Sequence, residues 1–238
     1  MFKRAILWAA AAGLVLALEA SAGAAPVAIV NPGFETHVLA DGDWSWLMDN
    51  EGWGYVANGG NLGPWNPEAD YYGGNAPEGQ NVGWTNPGTE DGGFGQVLTE
   101  TLAAGMTYTL TVKVGNTAGY DWSGYRVQLL AGGTPQASGD GSDYAGEVTG
   151  GFLLAEDNNT VTIADDTFGT STVTYVYNPA HSAYLGKPLQ IRLLCRGGGT
   201  GEEEVDFDGV RLDAVPEPAT LALLGLGGLS VLLGRKHR

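Results

Sequence analysis

A single cysteine, Cys195, excludes an internal disulfide, and its place in an apolar, strand-like run marks it as a small buried side chain. Histidine is almost as scarce: of three in the chain, His37 and His181 lie in the body, and neither sits in a Ser/His/Asp-like or zinc-ligand pattern. Basic residues number 11 against 27 acidic ones, a net charge of −16. Five of the eleven (Lys3, Arg4, Arg235, Lys236, Arg238) sit at the two ends, so the body carries 25 acidic and 6 basic residues, a net of −19. Such a surface repels nucleic acid and anionic lipid and attracts cations, calcium first among them. Gly197–Gly201 lacks the lysine and helix start of a phosphate loop. Helical periodicity is nearly absent, and long apolar runs occur only at the termini.

Those termini read as addresses. Lys3 and Arg4 precede an apolar run from Ala5 to Leu18, and Ala20-Ser21-Ala22 and Ala22-Gly23-Ala24 each satisfy the small-x-small cleavage rule. Residues 1–24 are therefore expected to be an export signal cut after Ala22 or Ala24. At the other end, Pro216-Glu217-Pro218 is followed by an apolar run from Ala219 to Gly234 and by Arg235-Lys236-His237-Arg238. Sixteen residues at about 1.5 Å each span about 24 Å, enough for a thin membrane or a transient anchor. The basic end would stay inside while the body projects outward.

Residues 215–238 resemble the PEP-CTERM sorting signal, also catalogued as the C-terminal domain of ice-binding-type proteins. The triplet Pro216, Glu217, Pro218, the apolar helix and the basic Arg235, Lys236 and Arg238 carry the likeness. It implies an exosortase-type membrane enzyme as processing partner, transient inner-membrane anchoring, and delivery to the cell surface or extracellular matrix. It implies no ice activity.

Residues 27–214 form the body. Alternating apolar and polar residues predict strands over Met106–Val114, Tyr125–Leu129, Thr160–Ile163, Thr172–Tyr177, Leu189–Leu193 and Val205–Asp208, separated by Gly/Asn/Asp/Pro clusters. The fold class expected is all-β, an antiparallel β-sandwich. Ala40–Gly95 differs: it is rich in glycine, asparagine and aromatics, and reads as long structured loops with short strands near Trp44–Leu47, Gly52–Val56 and Gln80–Trp84.

The opening Val30-Asn-Pro-Gly-Phe-Glu35, the central Gly95–Leu98 leading into Leu102–Val112, and the closing Val205–Leu212 resemble carbohydrate-binding-module-like, galactose-binding-type jelly rolls. The likeness implies a structural calcium at Glu35 and Asp208, with Asp206 a third candidate because it shares a strand face with Asp208. For saccharide stacking, which needs flat apolar rings, the candidates are Trp65, Trp122, Trp53, Trp84 and Tyr72, with Trp65 and Trp122 the least core-like. Trp44 and Trp46 supply further rings. No spacing singles out an acid and a nucleophile among so many carboxylates. The expected function is thus an exported, non-catalytic module binding extracellular polysaccharide. The alternatives are an adhesive matrix protein without a saccharide site and, more remotely, a glycoside hydrolase.

Overall fold

The structure, a computed structural model, describes residues 24–47, 51–57, 61–135 and 145–217. The export signal, the apolar tail helix and its basic end, including Pro218, Arg235, Lys236 and Arg238, lie outside the described residues. Pro26–Ala214 forms one compact unit.

Two antiparallel sheets face each other, as the alternation predicts. In the first, β3 (Asn61–Trp65), β4 (Val82–Asn86), β11 (Val205–Pro216), β6 (Met106–Asn116) and β9 (Thr167–Val176) lie side by side, with β1 (Ala25–Val27) also on β11. The second runs β2 (Gly54–Val56), β5 (Gly92–Thr101), β10 (Pro188–Cys195), β7 (Tyr125–Ala131), β8 (Phe152–Asp157). This is the expected jelly-roll sandwich. The inward positions of each strand form one core: Leu110, Val112 and Val114 of β6 and Phe207 of β11 meet Val127 and Leu129 of β7 and Leu189, Ile191 and Leu193 of β10. Cys195 joins them, and burial pushes its thiol up to about 12.

Thr160–Ile163, expected as a strand, is irregular. Thr160 donates through both its backbone N–H and its hydroxyl to Asp157 Oδ1, at 3.0 and 2.7 Å, so a side chain captures the donor that a ladder would use. The other oxygen of Asp157 accepts from Tyr125 (2.7 Å) and Ser171 (2.6 Å), joining β7, β8 and β9. On β11 the inward parity shifts by one residue. Val205 and Phe207 point into the core, then Val210 and Leu212 do, and Gly209 at φ +54 takes the backbone turn that permits the shift.

Asp157→Ala leaves the hydroxyls of Tyr125 and Ser171 and both Thr160 donors without their acceptor. It should lower stability by about 3 kcal/mol in urea denaturation; a loss below about 1 kcal/mol would show that the network is dispensable.

Candidate functional site

Sheet register assembles a cleft on the outer face of the first sheet. Trp65 pairs with Val82, Gly63 with Trp84 and Asn61 with Asn86, so the side chains of Asn61, Trp65, Trp84 and Asn86 share one side. Asp206 pairs with Trp84 and so joins that side, while Phe207, opposite Gly83, turns into the core. Residues 44–47 add an extended segment on the edge of β3: Ser45 N donates to Pro64 O and Leu47 N to Leu62 O, both at 2.9 Å. That pairing leaves Trp44 and Trp46 outward, 54% and 38% exposed, with Leu47 buried. Gly63 is required here, because a Cβ would fall 2.0 Å from Ser45 O.

The resulting cleft encloses about 380 Å³ and is lined by aromatic rings with Glu68, Glu204, Asn61 and Asn86 among them. Its rings are not coplanar. Trp44 meets Trp46 at 86° (centroids 5.1 Å) and Trp84 at 80° (5.6 Å), and Trp65 meets Tyr71 at 73° (5.2 Å). They make walls rather than a platform.

Beneath the walls lie two buried carboxyls. Asp206 is wholly buried; its Oδ2 accepts from Tyr72 and Thr117 hydroxyls, both at 2.6 Å, and its Oδ1 has no donor. Burial raises its pKa above the ordinary carboxylate range, against the pull of those two hydrogen bonds. Glu204, two residues earlier on the same side, is raised further, by burial first and by the Asp206 charge second. Burial and mutual repulsion therefore favour one proton retained on the pair toward neutral pH. Burial and the same charge push the Tyr72 phenol far above its ordinary value, so it remains a neutral donor. Tyr72 adopts φ +53, fixed by a 2.5 Å bond from its N–H to Asp166 Oδ1 and by packing on Phe168 at 4.3 Å.

The expected residues are thus divided. Trp84 and Trp65 line the cleft, Trp65 from a strand rather than from a loop; Tyr72 is not part of the lining but packs behind Trp65 at 6.3 Å, its hydroxyl committed to Asp206. Trp53 is corrected: it is fully buried, stacked on Phe34 at 5.5 Å, and its Nε1 donates to Asn31 O. Trp122 lies apart from this cleft, half-buried against the core beside Tyr125. Trp44, Trp46 and Glu204 complete the site. The even spacing of Glu204, Asp206 and Asp208 was the available signal for Glu204.

Asp206 also leaves the metal set. Successive same-side residues stand about 7 Å apart along a strand, and the covering loops bring Tyr72 to Asp206 but Glu78 to Asp208. Asp208 accepts from Glu78 N and Gly209 N, both at 2.6 Å, and Glu35 Oε1 accepts from Gln80 N and Asn81 N at 2.8 Å. A Cβ on Gly33 would touch Asp208 Oδ1 at 3.4 Å and the Glu35 stem at 3.7 Å, so the two converge on that glycine. Burial, and then the Glu78 and Glu35 charges, raise Asp208 to about 7. Oxygen donors crowded under negative charge that Arg211, paired with Glu78, meets only in part fit a hard cation. Among the described residues no three acidic, His or Cys side chains gather closely enough to hold one unaided, so backbone carbonyls would complete the shell.

An HpiC1 cyclase family model matches residues 25–213. The chain belongs to the HpiC1-like cyclase family. Residues 214–238 match the PEP-CTERM protein-sorting motif, so this family member carries a signal for export and surface sorting. A Stig cyclase from Fischerella sp. TAU, solved with (3Z)-3-(1-methyl-2-pyrrolidinylidene)-3H-indole, is 32% identical over 82% of this chain and 99% of its own, with a TM-score of 0.65. A cyclase from the same organism, solved with 4-(1H-indol-3-yl)butan-2-one, is 34% identical over 81% and 98%, with a TM-score of 0.64. The CBM22-1 xylan-binding domain of Paenibacillus barcinonensis Xyn10C matches at 14% identity over 75% and 99%, with a TM-score of 0.43, too loose a likeness to carry a ligand across. No curated protein matches the chain. Membership of a cyclase family runs against the expectation of a purely binding module.

Carboxyls whose folded value is raised favour the fold while protonated, and that advantage is lost as pH rises through the folded value. In chelator, the melting temperature should therefore fall as pH rises from about 4 to about 8, with Asp208 (ordinary value 3.8, folded about 7) a main source. Asp208→Asn should flatten the profile; an unchanged slope would remove Asp208 as its origin.

Proposed function

We propose that this chain is a surface-sorted cyclase-family protein whose aromatic cleft takes one compact flat ring system and delivers a proton to it from Glu204. The observation that carries this reading is a buried carboxyl, kept protonated by burial and by Asp206, on the lining of a cleft walled by tryptophans. Such an acid donates to an electron-rich ring at a pH where an ordinary glutamate is ionised. The proton moves from the Glu204 carboxyl to a ring atom, and the cation formed lies beside indole faces and the negative carboxylate pair. Tyr72 and Thr117, donating to Asp206, hold that carboxylate in place. Crossed rings in a cleft of this volume suit a ring system better than an extended polysaccharide, and the two relatives bind indole-derived molecules. A second reading, binding of a terminal sugar of an extracellular polysaccharide, is favoured by the polar Asn61, Glu68 and Asn86 in the lining.

Calcium belongs to the same proposal as a structural ion. Glu35 and Asp208, with Glu78 beside them, would hold it where β11 meets the opening loop; it would neutralise charge there and take no part in proton delivery. Before the sorting tail is processed, its apolar segment would anchor the chain transiently in the membrane.

Deuterium exchange at C3 of indole reads proton delivery directly by NMR, since a deuteron adds to C3 and a proton leaves. The protein should accelerate exchange about 100-fold over buffer, and Glu204→Gln should lose at least tenfold of that while calorimetry still detects bound indole. Equal exchange by both proteins with indole bound would refute the acid role, and binding of glycan ends but not of indole would favour the second reading. Excess calcium should raise the melting temperature by roughly 5 °C over chelator, a gain absent from Asp208→Asn; identical melting curves would remove the ion.

A further inference from the structure

We propose that the cleft selects positively charged ligands, recognising an organic ammonium group between its aromatic walls; this rests on the cleft being the ligand site. Trp44, Trp46 and Trp84 form one wall and Trp65 with Tyr71 the other, each presenting ring faces or edges to the same enclosed space. A ring face is electron-rich and attracts a cation, most strongly where water is excluded. The charge around those walls has one sign. Glu68 and Glu204 line the cleft and Asp206 lies directly beneath it, while among the described residues no lysine, arginine or histidine lines it. None of the three carboxyls is in an ion pair with a basic group of the described chain.

A neutral ligand would use the walls and leave that charge unanswered. Asp206 makes the point most sharply: it is wholly buried, and one of its oxygens has no donor. An ammonium seated between the walls supplies the missing positive charge from the ligand side. The remaining charge of the body, 25 acidic residues against 6 basic ones, adds an attractive field that salt weakens.

The ammonium could be carried by a small quaternary amine or by an amino sugar, and matched pairs separate these sources. Calorimetry on the folded body should be run with choline against 3,3-dimethyl-1-butanol, its neutral isostere, and with glucosamine against N-acetylglucosamine. We expect the charged member of at least one pair to bind about tenfold more tightly, the preferred pair naming the source. The preference should shrink as salt is raised. In Glu204→Gln/Asp206→Asn the preference should vanish while the neutral partner still binds, which also shows that the variant is folded. Should that variant fail to fold, Glu68→Gln, at an exposed position of the lining, takes its place: an undiminished preference for the charged ligand overturns the proposal. Neutral partners or indole binding as tightly as the charged ligands would overturn the charge selection and leave the proposed proton delivery standing. Binding of no ligand of either kind would overturn the cleft as a site, and both readings with it.

Discussion

Strand β11 must bury Val205 and Phe207 in the core, and period-two alternation then forces Glu204, Asp206 and Asp208 out of the other side. That other side is not water. The loops between β3 and β4 and after β6 cover it, and all three carboxyls end up buried. Hydrophobic packing of one face thus dictates the electrostatics of the opposite one. Gly209 ends the pattern by shifting the inward parity, so β11 closes with a different face toward the core.

The molecule treats its buried carboxylates in two ways. Asp157 sits between strands with four hydrogen bonds from three residues, and those bonds outweigh the desolvation penalty, holding it below its ordinary value. It is a structural joint, satisfied by its own fold. Asp206 has two donors on one oxygen and none on the other, and Glu204 borrows stability from a retained proton. Under-satisfied acids beside an aromatic cleft are costly to folding and useful to chemistry, a trade that functional sites commonly make. Asp208 stands between the extremes, with two backbone donors and two neighbouring acids.

Much of this was legible in the residues. Alternation located β6, β7, the second half of β9, β10 and the start of β11, and the acidic balance and the sorting tail were plain. Four strands were not, the short β1 among them. β3 contains Gly63 and Pro64, β5 opens on glycines, and β8 follows no clear alternation, so propensity was silent where packing decided. Thr160–Ile163 alternates but loses its donors to Asp157. Among aromatics, sequence offered no means to separate Trp53, pinned in the core, from Trp44 and Trp46, which face outward only because Ser45 and Leu47 pair with β3. Glu204 was hidden in an acidic run, Glu202-Glu203-Glu204, whose middle member is spent on a local turn with Thr200 and Gly201.

The central claim is that Glu204 enters neutral pH still protonated. Carbon-13 NMR of side-chain carboxyls, with Glu204 assigned by its disappearance in a substituted variant, reads this directly across a pH titration. The account predicts a Glu204 resonance that stays in its protonated position through pH 7 and titrates only in more alkaline solution, moving back toward the ordinary range in Asp206→Asn. A Glu204 that ionises near its ordinary value of 4.5 in the wild-type protein would contradict it.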